Sequence, residues 1–329
     1  MFHKALWKKE WKHNFLVSLG LLVAFLLAYV VSAFMRFDTW RFWQEHQPDH
    51  WEHAKAFEVN SIFEPNFFGM IAVGVVILMA GFLIGLEKNT KRHDFAMALP
   101  FSRREMFLTK YVMGLAVVLI GYNLSFWLAY FAIYQSEFSQ LLAEVDLTNS
   151  YWLPLAAYFV IYSFAMFIGT ISGEIKSQIA LTLIFLVFPQ GIFVLVGQFF
   201  NVHGINFIEL EIAEWVFQDL FWFNYLNNFF FDELNIWVPV IAGLVFTVLA
   251  IVIYERSPSE YSGEFLMFRT LHPLFAFGIP FCSALLGGLM LSSMAPHNSS
   301  DALSLILYWL GALIALFFSW KITKKLLNR

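Results

Sequence analysis

The sequence predicts an all-α polytopic membrane protein with about eight transmembrane helices and both termini cytoplasmic. Three observations carry the prediction. Of 329 residues, 60% are hydrophobic and 13% charged, about half the charged share of a soluble domain. The apolar residues gather in eight stretches, each close to the ~20 residues that a helix needs to cross a bilayer. The basic residues, finally, sort to alternate connections between those stretches.

The expected spans are Phe15–Met35, Phe67–Leu86, Tyr111–Tyr134, Leu153–Ile171, Ile179–Phe200, Trp237–Tyr254, Leu274–Met294 and Leu303–Trp320. None has a full charge near its middle. The fourth and fifth are separated by Ser172–Gln178, where Glu174 and Lys176 argue against one continuous helix. With eight crossings, all of the 20 Lys and Arg residues except Arg36, Arg41 and Lys55 fall on the side of the termini. Basic residues favour the cytoplasmic side, which orients the chain. The first span is long for a signal peptide and is read as uncleaved.

Residues 1–14 read as an interfacial elbow helix. Lys4, Lys8 and Lys12 form one basic stripe, and Trp7 with Trp11 forms a neighbouring one at headgroup level. The first outer loop is acidic and carries His46, His50 and His53 at i, i+4 and i+7. That spacing makes them a weak candidate zinc site if they share one helix face, with a solvated acidic helix as the stronger reading.

The cytoplasmic loop 87–110 is the most informative segment. Asn89 or Thr90 can cap a short helix over Lys91–Leu99, and Pro100 stops it. Ser102-x-x-Glu105 is a capping box that opens the third span. The predicted product is a short crossbar at the membrane surface offering Phe95, Met97 and Leu99 to a partner. After the sixth span, Ser257-Pro258-Ser259-Glu260 predicts another short helix, carrying Phe265, Leu266 and Phe268. The outer segment 201–236 has no Lys or Arg, is rich in aromatic residues, and suits the outer membrane interface.

Several chemistries have no residues to support them. The chain holds no phosphate-binding G-x-x-x-x-G-K-[ST] loop, no G-x-S-x-G elbow and no H-E-x-x-H. Its spans offer neutral polar groups such as Asn123 and Gln190, the latter beside Pro189. Both are candidates to line a pathway; for Gln190 interhelical hydrogen bonding is the plainer alternative. Without ionisable groups at bilayer depth, a proton or sodium relay is disfavoured. Any free-energy source must lie on another molecule.

This arrangement resembles the ABC-2-type transporter permeases. The resemblance rests on the elbow Ala5-Leu6-Trp7-Lys8-Lys9-Glu10-Trp11-Lys12, on Glu87, and on Leu99-Pro100-Phe101-Ser102-Arg103-Arg104-Glu105 between spans two and three. Gly169-Thr170-Ile171-Ser172-Gly173 and the aromatic segment before span six add to it. It covers about residues 1–254. The division is then an elbow (1–14), a six-span core (15–254) and a connector with two additional spans and a basic tail (255–329). The eight-span layout looks like the permeases of the Bacillus-type acetoin-utilisation and antibiotic-response operons.

The resemblance implies the permease subunit of an ATP-driven exporter in the bacterial inner membrane, not an enzyme itself. No cofactor is expected on this chain, with ATP and Mg on a partner ATPase. The partners implied are that cytoplasmic ATPase, a second permease (identical or paralogous) and the bilayer, with no nucleic acid. Contact with the ATPase would fall to Glu87, Phe95, Leu99, Pro100, Ser102, Arg103, Arg104 and Glu105. Two alternatives are a membrane sensor or scaffold with acidic outer loops, and an intramembrane enzyme using the three histidines.

Overall fold

A computed structural model describes residues 4–64, 67–89, 101–205, 218–226, 234–261, 263–296 and 301–327. Among these, the regular structure is helical apart from one isolated bridge, Ser172 with Leu266. Among the described residues, eight helical stretches are long and apolar enough to cross a membrane. Their outer faces carry a belt of exposed Leu, Ile, Val and Phe side chains, which requires lipid contact. The chain is an all-α polytopic membrane protein.

Helix α1 runs Lys4–His46, with a π-helical turn at Leu27–Val31. Its 43 residues give a rod of about 65 Å at ~1.5 Å per residue, twice a ~30 Å hydrocarbon layer. Gln47 leaves helical geometry (φ −139°) and Pro48 starts α2, Pro48–Phe63, at N1, where a proline costs no hydrogen bond. Together α2 and the end of α1 form a helical hairpin beyond the bilayer. Its core is Phe37, Trp40, Trp51 and Phe138, tied by Arg36 to Glu58 at 2.6 Å. Asn60 pins it to the next outer loop, donating to the Glu144 carbonyl at 3.0 Å and accepting from the Ser150 hydroxyl at 3.1 Å.

The expected elbow is not a separate element. Residues 4–14 continue into the first span without a break, and Leu6, Glu10, Asn14, Ser18 and Leu21 face the bundle. These positions recur every three or four residues, so one face of the helix is buried from its first turn onward.

Helix α3 spans Phe67–Ala80 and continues through a π-helical turn, Gly81–Gly85, to Leu86–Asn89. Helix α4, Arg103–Tyr134, begins at the expected capping box: Ser102 Oγ accepts from the Glu105 amide at 3.2 Å, and the Glu105 carboxylate accepts from the Ser102 amide at 3.1 Å. The crossbar positions Phe95, Leu99 and Pro100 lie outside the described residues.

Helix α5, Leu153–Ile171, is buried along most of its length and forms the bundle's centre. It packs against α3, α4 and α7, Trp237–Glu255. Helix α6, Ile175–Val202, follows after the expected short turn. It ends at Gly204, whose φ of +76° lets the Ile205 amide reach back to the Phe200 carbonyl at 2.9 Å. In the outer segment, Tyr225 donates to Asp219 at 2.8 Å. Burial and that carboxylate hold the Tyr225 phenol above its usual range.

Helices α8, His272–Ser292, and α9, Asp301–Leu327, form an antiparallel pair at the edge. They approach closely because Gly287 and Gly311 oppose each other. A Cβ on Gly311 would strike the Gly287 carbonyl, and one on Gly287 would strike the Gly311 carbonyl.

The helix predicted after Ser257 does not form. Short 3-10 turns at Ser259–Tyr261 and Arg269–Leu271 flank an extended strap instead. Gly263, with φ +96°, and its neighbours pair with the α5–α6 turn: Gly263 N to Gly173 O at 2.8 Å and Met267 N to Ile171 O at 2.9 Å. Backbone bonding across the chain, with Leu266 and Met267 buried, outcompetes the local helix signal. Gly173 is needed here, since a Cβ would collide with the Glu264 carbonyl.

Candidate functional site: a charged plate at one pole of the bundle

One pole gathers the start of α1, the end of α3, the start of α4 and the ends of α5 and α7. At its centre Lys110 lies 2.8 Å from Glu87 and 3.2 Å from Glu10, and Lys9 lies 3.2 Å from Glu87 and 3.3 Å from Glu10. The side chains of Lys110, Glu10 and Glu87 are 3%, 2% and 8% exposed. Two ammonium groups balance two carboxylates, so the set is neutral. Lys110 also donates to the Leu83 carbonyl at 2.9 Å, inside the π-helical turn. Burial of such ions is tolerated where the charges are matched; here Lys110 lies against both carboxylates, and Lys9 covers the second oxygen of Glu10 as an ion pair.

Two further cations close helix ends. Lys88 is buried, and its ammonium donates to the carbonyls of Gly169 at 2.7 Å and Ser172 at 2.8 Å. These are orphan acceptors at the C-terminus of α5, the negative end of its dipole. Arg103 donates from Nη1 to the carbonyls of Ser257 at 2.8 Å and Glu255 at 3.1 Å, closing α7 in the same way. Beside Lys88, Gln178 donates to the Ala165 carbonyl at 3.0 Å. A Cβ on Gly85 or Gly169 would meet the Gln178 side chain, so these glycines let α3, α5 and α6 meet there.

Of the sequence-predicted residues, the plate brings together Glu87, Ser102, Arg103 and Glu105. Arg104 is exposed. Lys9, Glu10, Lys88 and Lys110 were not among the candidates. The available signal was Glu10 and Asn14 on the same face as Leu6 and Leu21, a polar stripe running into an apolar helix.

The outer histidines do not form the predicted row. The break at Gln47 places His46 on α1 and His50 with His53 on α2. His46 stacks on Phe42 and His50 packs edge-on to Trp43. Among the described residues no group of three metal-ligating side chains converges. The Asn123 amide donates to the Leu119 carbonyl at 2.8 Å and accepts from the Tyr151 hydroxyl. Gln190 keeps a buried side-chain oxygen without a hydrogen-bond partner.

No family model and no solved structure matches the chain. Two curated proteins of Bacillus subtilis (strain 168) do. The probable ABC transporter permease YtrC is 25% identical over 284 residues, 82% of this chain and 83% of YtrC. The probable ABC transporter permease YtrD is 21% identical over 281 residues, 80% of this chain and 81% of YtrD. This polytopic membrane protein is therefore similar, over most of its length and of theirs, to proteins named as ABC transporter permeases.

Proposed function

We propose that the chain is the permease subunit of an ATP-driven exporter in the bacterial inner membrane, with the charged plate facing the cytoplasm. Both named relatives support a permease. The orientation is supported by the basic residues, which concentrate at the pole of the plate. The chain binds no nucleotide of its own; ATP and Mg belong to a cytoplasmic ATPase, and a second permease, identical or paralogous, completes the assembly.

One observation carries the mechanism. The residues on either side of segment 90–100 are fastened by charge to different helices. Before it, Glu87 joins α1 through Lys9 and shares Lys110 with Glu10, while Lys88 holds the end of α5. After it, Lys110 completes the ion set and Arg103 holds the end of α7. A push by the ATPase on Phe95, Leu99 or Pro100 then moves α1, α5 and α7 as one unit, with Ser102 and Glu105 keeping the start of α4 rigid. Substrate passes along, or is drawn from lipid through, the interface between the two permeases, with Asn123 and Gln190 as the pathway candidates.

The test is co-purification with an ATPase encoded beside this chain, followed by measurement of hydrolysis in proteoliposomes. Phe95→Asp and Leu99→Asp should abolish permease-dependent stimulation while leaving the ATPase's own turnover intact. Hydrolysis by the purified chain alone would sink the proposal, as would labelling of segment 90–100 from outside the cell.

A further inference from the structure

Helices α8 and α9 meet the rest of the bundle chiefly through α6. Between these three helices lies an open cleft of about 890 Å³. Ala276, Ala284 and Ala312 leave the space, and the aromatic side chains of Phe281, Trp309 and Trp320 border it. Lys321 is the one charged residue of the lining. Its ammonium sits 4.4 Å from the Phe317 ring centre, and no described carboxylate lies within ion-pair distance of it.

The cleft has the dimensions and polarity of one leaflet. At ~1.5 Å per residue, roughly 18 Å of α9 separate Trp309 from Lys321, close to half of a ~30 Å hydrocarbon layer. Lys321 sits at the end of α9 that shares a pole with the charged plate, where Lys324 and Lys325 follow and are exposed. The apolar length thus lies at acyl-chain depth and the cation at headgroup depth. A zwitterionic headgroup would leave Lys321 no net charge to neutralise, whereas an anionic one supplies it.

We propose that this cleft is a lipid site, seating one acyl chain of an anionic phospholipid from the leaflet at the plate's pole, with the phosphate held by Lys321. Such a seat requires only a bilayer, whatever the chain transports. The test is titration of the delipidated full-length protein in detergent with dioleoyl phosphatidylglycerol and, in parallel, dioleoyl phosphatidylcholine. Retained lipid is counted by native mass spectrometry. One phosphatidylglycerol should be held, preferred about fivefold over phosphatidylcholine. Lys321→Gln should erase that preference, while Lys12→Gln, an exposed lysine at the same pole, should leave it unchanged. Ala284→Phe, which fills the cleft, should lower retention of both lipids; Ala284→Leu serves the same purpose if the larger side chain prevents folding. Equal retention of the two lipids overturns the proposal, as does an equal effect of the Lys321 and Lys12 changes. So does retention that neither Ala284 variant alters, or a dimer that Ala284→Phe converts to monomer, which would show a second copy in the cleft.

Discussion

The carboxylate of Glu87 and the ammonium of Lys110, 2.8 Å apart, join the two ends of the segment they enclose. Each is buried, and each has a further partner in α1. A pair that closes a loop and anchors it to a third helix constrains both the loop and that helix.

Removing Lys110 should therefore be severe. Lys110→Met leaves Glu10 and Glu87 buried with only the half-exposed Lys9 between them, a loss of about 3–5 kcal/mol for a broken buried pair. A large fall in melting temperature of the detergent-solubilised protein is the expected reading. Wild-type melting would mean that water reaches the carboxylates.

The pair at the other pole should behave differently. Arg41 bonds Glu137 with both side chains about half exposed, a setting in which water and salt screen an ion pair to little net worth. Arg41→Ala should leave the melting temperature almost unchanged, and the contrast with Lys110→Met tests burial as the deciding variable.

Lys88→Met removes the donor that closes α5, leaving the buried Ser172 carbonyl without that bond and the Gly169 carbonyl with only the Ser172 hydroxyl at 3.5 Å. The expected cost is about 1–3 kcal/mol, with faster hydrogen exchange confined to the last turn of α5 and the 171–174 turn. Uniform loosening of the whole bundle would contradict a local cap.

Gly311→Ala should force α8 and α9 apart, because the new methyl meets backbone at Gly287. Overpacking of this kind costs about 1–3 kcal/mol. Cysteines introduced in facing turns of the two helices should cross-link in the parent and lose that reactivity in the variant.

Sidedness is directly measurable, since Cys282 is the sole cysteine and can be replaced by serine. In that background Asp49→Cys should react with an impermeant maleimide in intact cells, and Glu260→Cys only after permeabilisation. The reverse pattern would invert the molecule.

The eight spans were legible because lipid imposes a length and a composition on each stretch separately, and Ser102 with Glu105 declared a helix start within four positions. The plate was not legible, because Lys110 and Glu10 meet across 100 positions of sequence and nothing local reports that meeting. Burial of Leu6, Glu10 and Asn14 carries one face of α1 into the bundle from its first turn, while Lys4, Lys8, Trp11 and Lys12 stay exposed on its other faces. The strap at 257–268 misled for the complementary reason. Its capping signal is local and genuine, but Gly173 and Gly263 offer a better set of distant backbone bonds.

Helix α1 stands with its foot among the charges of the plate and its head in the aromatic hairpin on the far side. For a rod of about 65 Å, a tilt of roughly 5° at the foot sweeps the head through about 6 Å. A ligand or antibody fragment that grips the surface of the hairpin built around Trp40 and Trp51 would therefore resist rearrangement of Glu10 and Lys110 on the opposite face, giving an experimenter a brake that works from the far side of the membrane.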